Sequence, residues 1–225
     1  MLKIIRKNRD ILRMPKSRAS VYLMFPLAIP LIKGLAKLKI KPNFVTFFSG
    51  FLALLAAFFF WQGTWFYLIL GALFFYFGIL LDQVDGHLAR LTNQETKFGS
   101  FFDGFIDSMR KIICFPALLY SQFYLRGGIN LLILGIGLVL LHYAMHIIFN
   151  LLKRRKFELT KFGQRCLAEG VSPHFFCKVE EQFAIFIVGP LLNQFIIVFC
   201  ISLVLFFLLS FLVKIKIALF GGKGW

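Results

Sequence analysis

Residues 66–107 read FYLILGALFFYFGILLDQVDGHLARLTNQETKFGSFFDGFID, an uncharged apolar run that ends in a dense set of carboxylates. Phe66 to Leu81 supplies most of a membrane-crossing helix, which needs roughly 20 apolar residues. Beyond it, Asp82, Asp85, Asp103 and Asp107 gather four of the chain's 10 acids into one short segment. Asp82 and Asp85 are i, i+3 at the end of one predicted helix. Asp103 and Asp107 are i, i+4 at the start of the next, so each pair shares a helical face. If the two helices are antiparallel neighbours, the acidic faces converge.

Converging carboxylates at a membrane edge need a compensating cation. An Asp at mid-membrane costs about 2.5–3.5 kcal/mol on insertion scales, and mutual repulsion adds to that. All-oxygen donors suit Mg²⁺ or Mn²⁺, and two such ions balance four charges. Paired divalent metals serve phosphoryl chemistry by neutralising the attacking and leaving oxygens. Structural ion pairing with Arg90, Lys97, Arg110 and Lys111 balances the same charge. The small residues favour the metal reading. Gly86 and Ala89 follow the first Asp pair, and Gly99 stands one turn before Asp103. Small side chains beside carboxylates leave a hollow where a diphosphate can approach the backbone, although they also permit tight helix packing.

Working outward, the 225 residues are 59% hydrophobic with mean hydropathy +0.80 and include 31 Phe, an excess that points to lipid as solvent. Six predicted spans cover about Asn43–Trp61, Phe66–Leu81, Phe101–Leu125, Asn130–Leu152, and residues 182–193 and 194–213, with Gly189, Pro190 and Asn193 marking the last turn. Trp61 and Trp65 bracket the first turn, as an interfacial aromatic belt would. Before the spans, residues 1–41 form a basic segment. Its apolar run Val21–Ile32 is too short to cross, and Leu31, Leu35 and Leu38 recur between Lys33, Lys37 and Lys39. An amphipathic helix lying in the interface is expected there, and residues 42–225 form the six-span domain. The expected fold class is thus all-α, a polytopic six-helix membrane bundle.

The net charge of +16 lies in membrane-edge clusters, so anionic membrane lipids, not nucleic acid, are the expected partner. With both termini cytoplasmic, Arg126 alone among the 26 Lys and Arg falls on the far side, which satisfies the positive-inside rule. The carboxylates then face the cytoplasm, across the inner membrane if the source is bacterial. The basic N-terminus lacks an apolar core followed by a cleavage site, so no signal peptide is expected. The 4 Cys are scattered without metal or disulfide spacing.

The pattern Asp82-x-x-Asp85-Gly86-x-x-Ala89-Arg90, then Gly99-x-x-x-Asp103-x-x-x-Asp107, resembles the signature of the CDP-alcohol phosphatidyltransferase family at every fixed position. Pro42-Asn43-x-x-Thr46 at the entry to the first span is similar as well. The resemblance implies transfer of a phosphatidyl or related phospho-alcohol group from a CDP-linked donor, such as CDP-diacylglycerol, to an alcohol acceptor, with release of CMP. It implies that Asp82, Asp85, Asp103 and Asp107 bind two Mg²⁺ or Mn²⁺ ions, with Asp107 also the general base. It further implies that Gly86, Arg90 and Thr96 contact the CDP portion, beside Asn43 and Thr46, and that the protein is a homodimer. Asn and Thr also cap helices, an alternative that stays open for Asn43 and Thr46.

The acceptor is not legible. Arg110 and Lys111, with the cluster Lys153–Lys156, suit an anionic polyol phosphate or ordinary anchoring at the membrane rim. Glu180 and Glu181 suit a cationic amino alcohol. His142 and His146 are i, i+4, a spacing that serves a ligand pair or a hydrogen-bonded core pair, and His174 has no evident partner. A transporter with an intramembrane carboxylate path is the alternative class. It predicts acids at span midpoints or inverted repeats, and neither is present in the sequence.

Overall fold

The computed structural model describes residues 23–125, 128–130, 132, 133, 135–137, 140, 182–202 and 204, and every regular element among them is helical. Helix α1 spans Phe25–Lys37, α2 Pro42–Gln62, α3 Trp65–Leu91 and α4 Lys97–Leu119. A π-helical turn, Tyr120–Tyr124, prolongs α4. Residues 130–140 are helical where described. Later in the chain a π-helical turn Ala184–Val188 leads into the short helix Gly189–Leu191 and then a helix from residue 195.

Local chemistry explains the boundaries. Pro42 opens α2, where its missing N–H costs nothing. Gly63, at φ 73°, ends it in the left-handed conformation, and Thr64 alone separates it from α3. Three other endings use a left-handed residue that is not glycine: Lys39, Asn93 and Asn193, at φ 54°, 54° and 53°. Each is followed by a residue whose N–H reaches back five positions, as in Ile40 to Leu35 at 3.1 Å and Gln94 to Ala89 at 2.9 Å. This is the Schellman arrangement, which satisfies carbonyls that a helix end would otherwise strand. Thr96 starts α4, its hydroxyl accepting from the Gly99 N–H at 2.9 Å.

The first predicted span matches α2 closely. The second runs ten residues further than expected, to Leu91, so the first Asp pair sits inside α3 and not at its end. Val84 and Leu88, both 0% exposed, keep an apolar stripe buried through the acidic part and hold it helical. The last turn also falls slightly later than the sequence suggests. Gly189 and Pro190 remain helical, and Asn193 makes the reversal. Most of the fourth span lies outside the described residues, as do His142, His146, His174, Glu180, Glu181, the Lys153–Lys156 cluster and the end of the sixth span.

Helix α2 is the centre of the arrangement. It packs along both α3 and α4, whereas α3 and α4 touch each other far less. The expected antiparallel neighbours are therefore separated by α2 along most of their length. Ser49, Ala53, Ala56 and Ala57 give α2 a small-residue surface that lets both partners approach. Gly71 and Gly78 of α3 answer it, against Phe60 and the Ser49 carbonyl respectively. Phe60, Phe75, Phe115 and Phe186 form an aromatic core, with Phe75 and Phe186 stacked at 4.4 Å. Trp65 Nε1 donates to the Leu191 carbonyl at 3.0 Å and ties the later segment to the start of α3.

Helix α1 packs on α3 through Phe25, Ala28, Ile29 and Ile32. The Tyr76 hydroxyl donates to the Leu23 carbonyl at 2.9 Å just ahead of it. Leu27, Leu31 and Leu38 are exposed, so its apolar residues divide between a packed face and an outward one. Helices α2 and α3 are each long and apolar enough to cross a membrane, with mean hydropathies of 2.1 and 1.8 over their most apolar windows.

Two substitutions test this packing. A Cβ on Gly71 would lie 2.5 Å from a ring carbon of fully buried Phe60. Gly71→Ala is therefore expected to cost about 1–3 kcal/mol through overpacking, read as a lowered unfolding temperature in detergent. Thr96→Ala should cost about 1 kcal/mol through loss of the α4 cap, and Thr96→Ser should restore it.

Candidate active site

The signature residues collect at one end of the bundle, where α2 begins, α3 ends and α4 begins. Asn43, Thr46 and Ser49 are spaced three apart and run up α2 between the acidic segments of α3 and α4. The four carboxylates lie within electrostatic reach of one another: Asp85 of Asp82 and Asp103, and Asp107 of Asp82 and Asp103. The two acidic faces come within electrostatic range of each other over α2, not by direct packing of α3 on α4.

The carboxylates are not equivalent. Asp82 accepts from Arg110 Nη2 at 2.7 Å. Asp107 has both oxygens engaged, Oδ1 by Arg110 Nη1 at 3.4 Å and Oδ2 by Lys111 Nζ at 2.6 Å. Asp85 is 3% exposed, and neither of its oxygens has a hydrogen-bond partner of good geometry. The Thr46 hydroxyl lies beside it but donates to the Pro42 carbonyl at 3.2 Å, one turn back in α2. Asp103 is half-buried and makes no ion pair among the described residues. One side of the cluster thus holds its carboxylates in ion pairs, and the other presents carboxylates outside any ion pair among the described residues. As placed, no three His, Cys, Asp or Glu side chains among the described residues stand close enough to enclose a metal ion.

Arg110 corrects an expectation. As an anchor at the membrane rim or a contact for an anionic acceptor it would be accessible, but it is 1% exposed and ranks among the largest fully buried side chains. Besides its two carboxylates it donates to Ser49 Oγ at 2.8 Å, and that hydroxyl donates to the Gly78 carbonyl at 3.0 Å. One guanidinium therefore links all three helices. Its reach follows from its place one turn past Asp107, on the side of α4 that meets α2.

The remaining signature residues form two small groups. The Arg90 guanidinium lies over Gly86, 3.5 Å from where a Cβ would stand, with Nη2 3.3 Å from His87 Nδ1. It is also in electrostatic reach of Asp103. Ala89 contributes the carbonyl that closes the end of α3. Across the site, a Cβ on Gly99 would stand 3.0 Å from both Asn43 Oδ1 and Thr96 Oγ1, so the first turns of α2 and α4 meet at that glycine. Asn43 is exposed, and Thr46 is 3% exposed.

Sequence reasoning passed over Ser49, Gly78 and His87. Ser49 was detectable as the third member of the polar stripe begun by Asn43 and Thr46, and Gly78 as the residue one turn before Asp82. His87 occupies a variable place in the signature, and its setting is visible only in three dimensions: 0% exposed, edge-on to Phe25 of α1 at 5.8 Å.

The chain is similar to several known proteins. An uncharacterised protein of Aquifex aeolicus is 38% identical over 89 residues, covering 40% of this chain and 44% of that protein. The archaetidylinositol phosphate synthase of Pyrococcus horikoshii is 39% identical over 77 residues, covering 34% and 39%. The matches thus span less than half of either relative. The crystal structure of the Mycobacterium tuberculosis phosphatidylinositol phosphate synthase with CDP-DAG bound superposes with a TM-score of 0.54 at 20% identity, covering 85% of this chain and 91% of that one, a likeness of fold. The family model for CDP-alcohol phosphatidyltransferases matches residues 39–220, and the chain belongs to that family of phosphotransferases.

Proposed function

We propose that the protein is an integral membrane enzyme of phospholipid biosynthesis that moves a phosphatidyl or related phospho-alcohol group from a CDP-linked lipid to an alcohol, releasing CMP. The observation that carries this reading is the meeting of all eight signature positions of α3 and α4 at one end of the bundle, beside the start of α2, with the carboxylates linked by electrostatic reach. CDP-diacylglycerol is the donor to test first. The Pyrococcus horikoshii relative is an archaetidylinositol phosphate synthase, which puts a polyol phosphate first among acceptors.

In this reading α2 and α3 cross the bilayer within a six-span bundle, with the acidic end and both termini at the cytoplasmic side. The outward Phe44, Phe47, Phe51 and Phe58 of α2 suit lipid. The outward leucines of α1 suit the interface, and a homodimer is the assembly the family resemblance implies.

The chemistry of the donor set suits a pair of divalent ions, and the carboxylates would have to rotate inward to enclose them. Asp85 offers two buried oxygens without hydrogen-bond partners of good geometry, and the donor set is entirely carboxylate, as Mg²⁺ and Mn²⁺ prefer. Asp82, Asp85, Asp103 and Asp107 would hold them, and such ions supply charge neutralisation on the diphosphate and the departing CMP. Gly86, Arg90 and Thr96, with Asn43 and Thr46, hold the cytidine diphosphate. Asp107 takes the acceptor's hydroxyl proton as the acceptor oxygen bonds to the lipid-bearing phosphorus. The bond from that phosphorus to the CMP oxygen breaks, and CMP departs with its electron pair. For Asp107 Oδ2 to accept that proton the Lys111 ammonium must move aside, and at 20% exposure Lys111 has a path to solvent.

Incubating the purified protein with CDP-diacylglycerol, Mn²⁺ and a panel of alcohols should release CMP with at least one acceptor. Release with none would overturn the proposal. Asp107→Asn should lower turnover by about 10²-fold or more while CDP-lipid binding persists, and near-normal turnover excludes Asp107 as the base. Chelation by EDTA should abolish turnover and Mn²⁺ should restore it. An unchanged rate in EDTA excludes the metal.

A further inference from the structure

The reading above treats the four carboxylates as one metal-binding set, but the structure divides them. Asp85 and Asp103 make no ion pair among the described residues, while Asp82 and Asp107 share a guanidinium that is 1% exposed and fixed from a third helix. The geometry points to Arg110 as a resident cation. It supplies part of the compensating charge permanently and weakens divalent-ion binding on the Asp82–Asp107 side, so that the two sides load unequally. This rests on the metal-binding part of the proposed function.

Three features separate Arg110 from an ordinary ion pair. Its place is fixed by more than its carboxylates, because Ser49 Oγ accepts from Nη2 at 2.8 Å and is itself anchored to the Gly78 carbonyl. Withdrawing it to solvent would leave a buried charge in transit, unlike Lys111, which is 20% exposed. Its contacts fall on the carboxylate oxygens themselves, Asp82 Oδ1 at 2.7 Å and Asp107 Oδ1 at 3.4 Å. An incoming ion must compete with it for those oxygens or share them at close range with a positive charge. A guanidinium stays protonated at any working pH, so proton loss gives no relief. Arg110 is thus a positioning residue that holds α3 and α4 in register and sets the order in which the site fills.

The test is Mn²⁺ binding to the purified protein, followed by calorimetry and by the electron-spin signal of free Mn²⁺, with thermal unfolding measured in parallel. Wild type should show a stronger and a weaker site. Arg110→Gln should tighten the weaker one by at least ~10-fold, since a unit charge is removed from beside two ligands. Without metal this variant should unfold roughly 5–15 °C lower than wild type, and Mn²⁺ should recover most of the loss. Arg110→Lys, which keeps the charge, should leave Mn²⁺ affinity near that of wild type. A merely structural role predicts lower stability with unchanged or weaker Mn²⁺ binding, and that result overturns the inference. Should Arg110→Gln fail to fold, Arg110→Met removes the charge while keeping the buried stem, and Mn²⁺ binding no tighter than wild type overturns the inference equally. Wild type that binds no Mn²⁺ overturns the metal reading along with this one. Wild type that binds Mn²⁺ while the variants change nothing overturns this one alone.

Discussion

Carboxylates in an apolar bundle repel one another and lose hydration, and the positive charge placed among them decides whether the helices close. Here Arg110 does this across three helices at once. Its bonds to Asp82 and Ser49 bring α3 and α2 to the middle of α4, and its reach to Asp107 fixes the acidic face of α4 itself. A buried pair of this kind adds little net stability relative to an apolar isostere, yet breaking one partner leaves an uncompensated charge. The interaction therefore specifies the arrangement more than it strengthens it.

The space for that linkage comes from α2. An ordinary apolar helix between two others would hold their acidic faces apart. The strip Ser49, Ala53, Ala56 and Ala57, meeting Gly78 and Gly71, brings backbones close enough for a single side chain to span the gap. At the opposite end, rings replace small residues: Phe60, Phe75 and Phe186 fill the core, and Trp61 stacks on Tyr120 at 4.0 Å.

Much of this was legible in the sequence. The limits of α2 followed from the apolar run Asn43–Trp61 and the tryptophan pair that brackets its turn, and the carboxylate spacings gave the shared faces. The same signature positions gave the family. The acidic end of α3 was misjudged because Asp82 to Ser100 reads as a polar connector by composition, while Val84 and Leu88 continue the buried stripe at helical spacing. Which helix stands between α3 and α4 is a property of packing that local patterning cannot reveal. The ion pairing of Arg110 was among the alternatives, but its burial and its bond to α2 were hidden for a related reason. A basic residue one turn past an Asp reads as a surface pair until a third helix is seen to cover it.

The unbroken course of α3 through its first Asp pair has a consequence for how the site responds to a ligand. Asp82 and Asp85 ride on continuous helix, and Asp103 and Asp107 on the first turns of another, so none of the four sits on a loop that must be ordered at the moment of encounter. The entropy of fixing their backbones is lost once, during folding, and is not charged again at each turnover. Side-chain rotation is the freedom that remains. A ligand entering this end of the bundle would therefore be met by side-chain rotation alone, with the helices already in place.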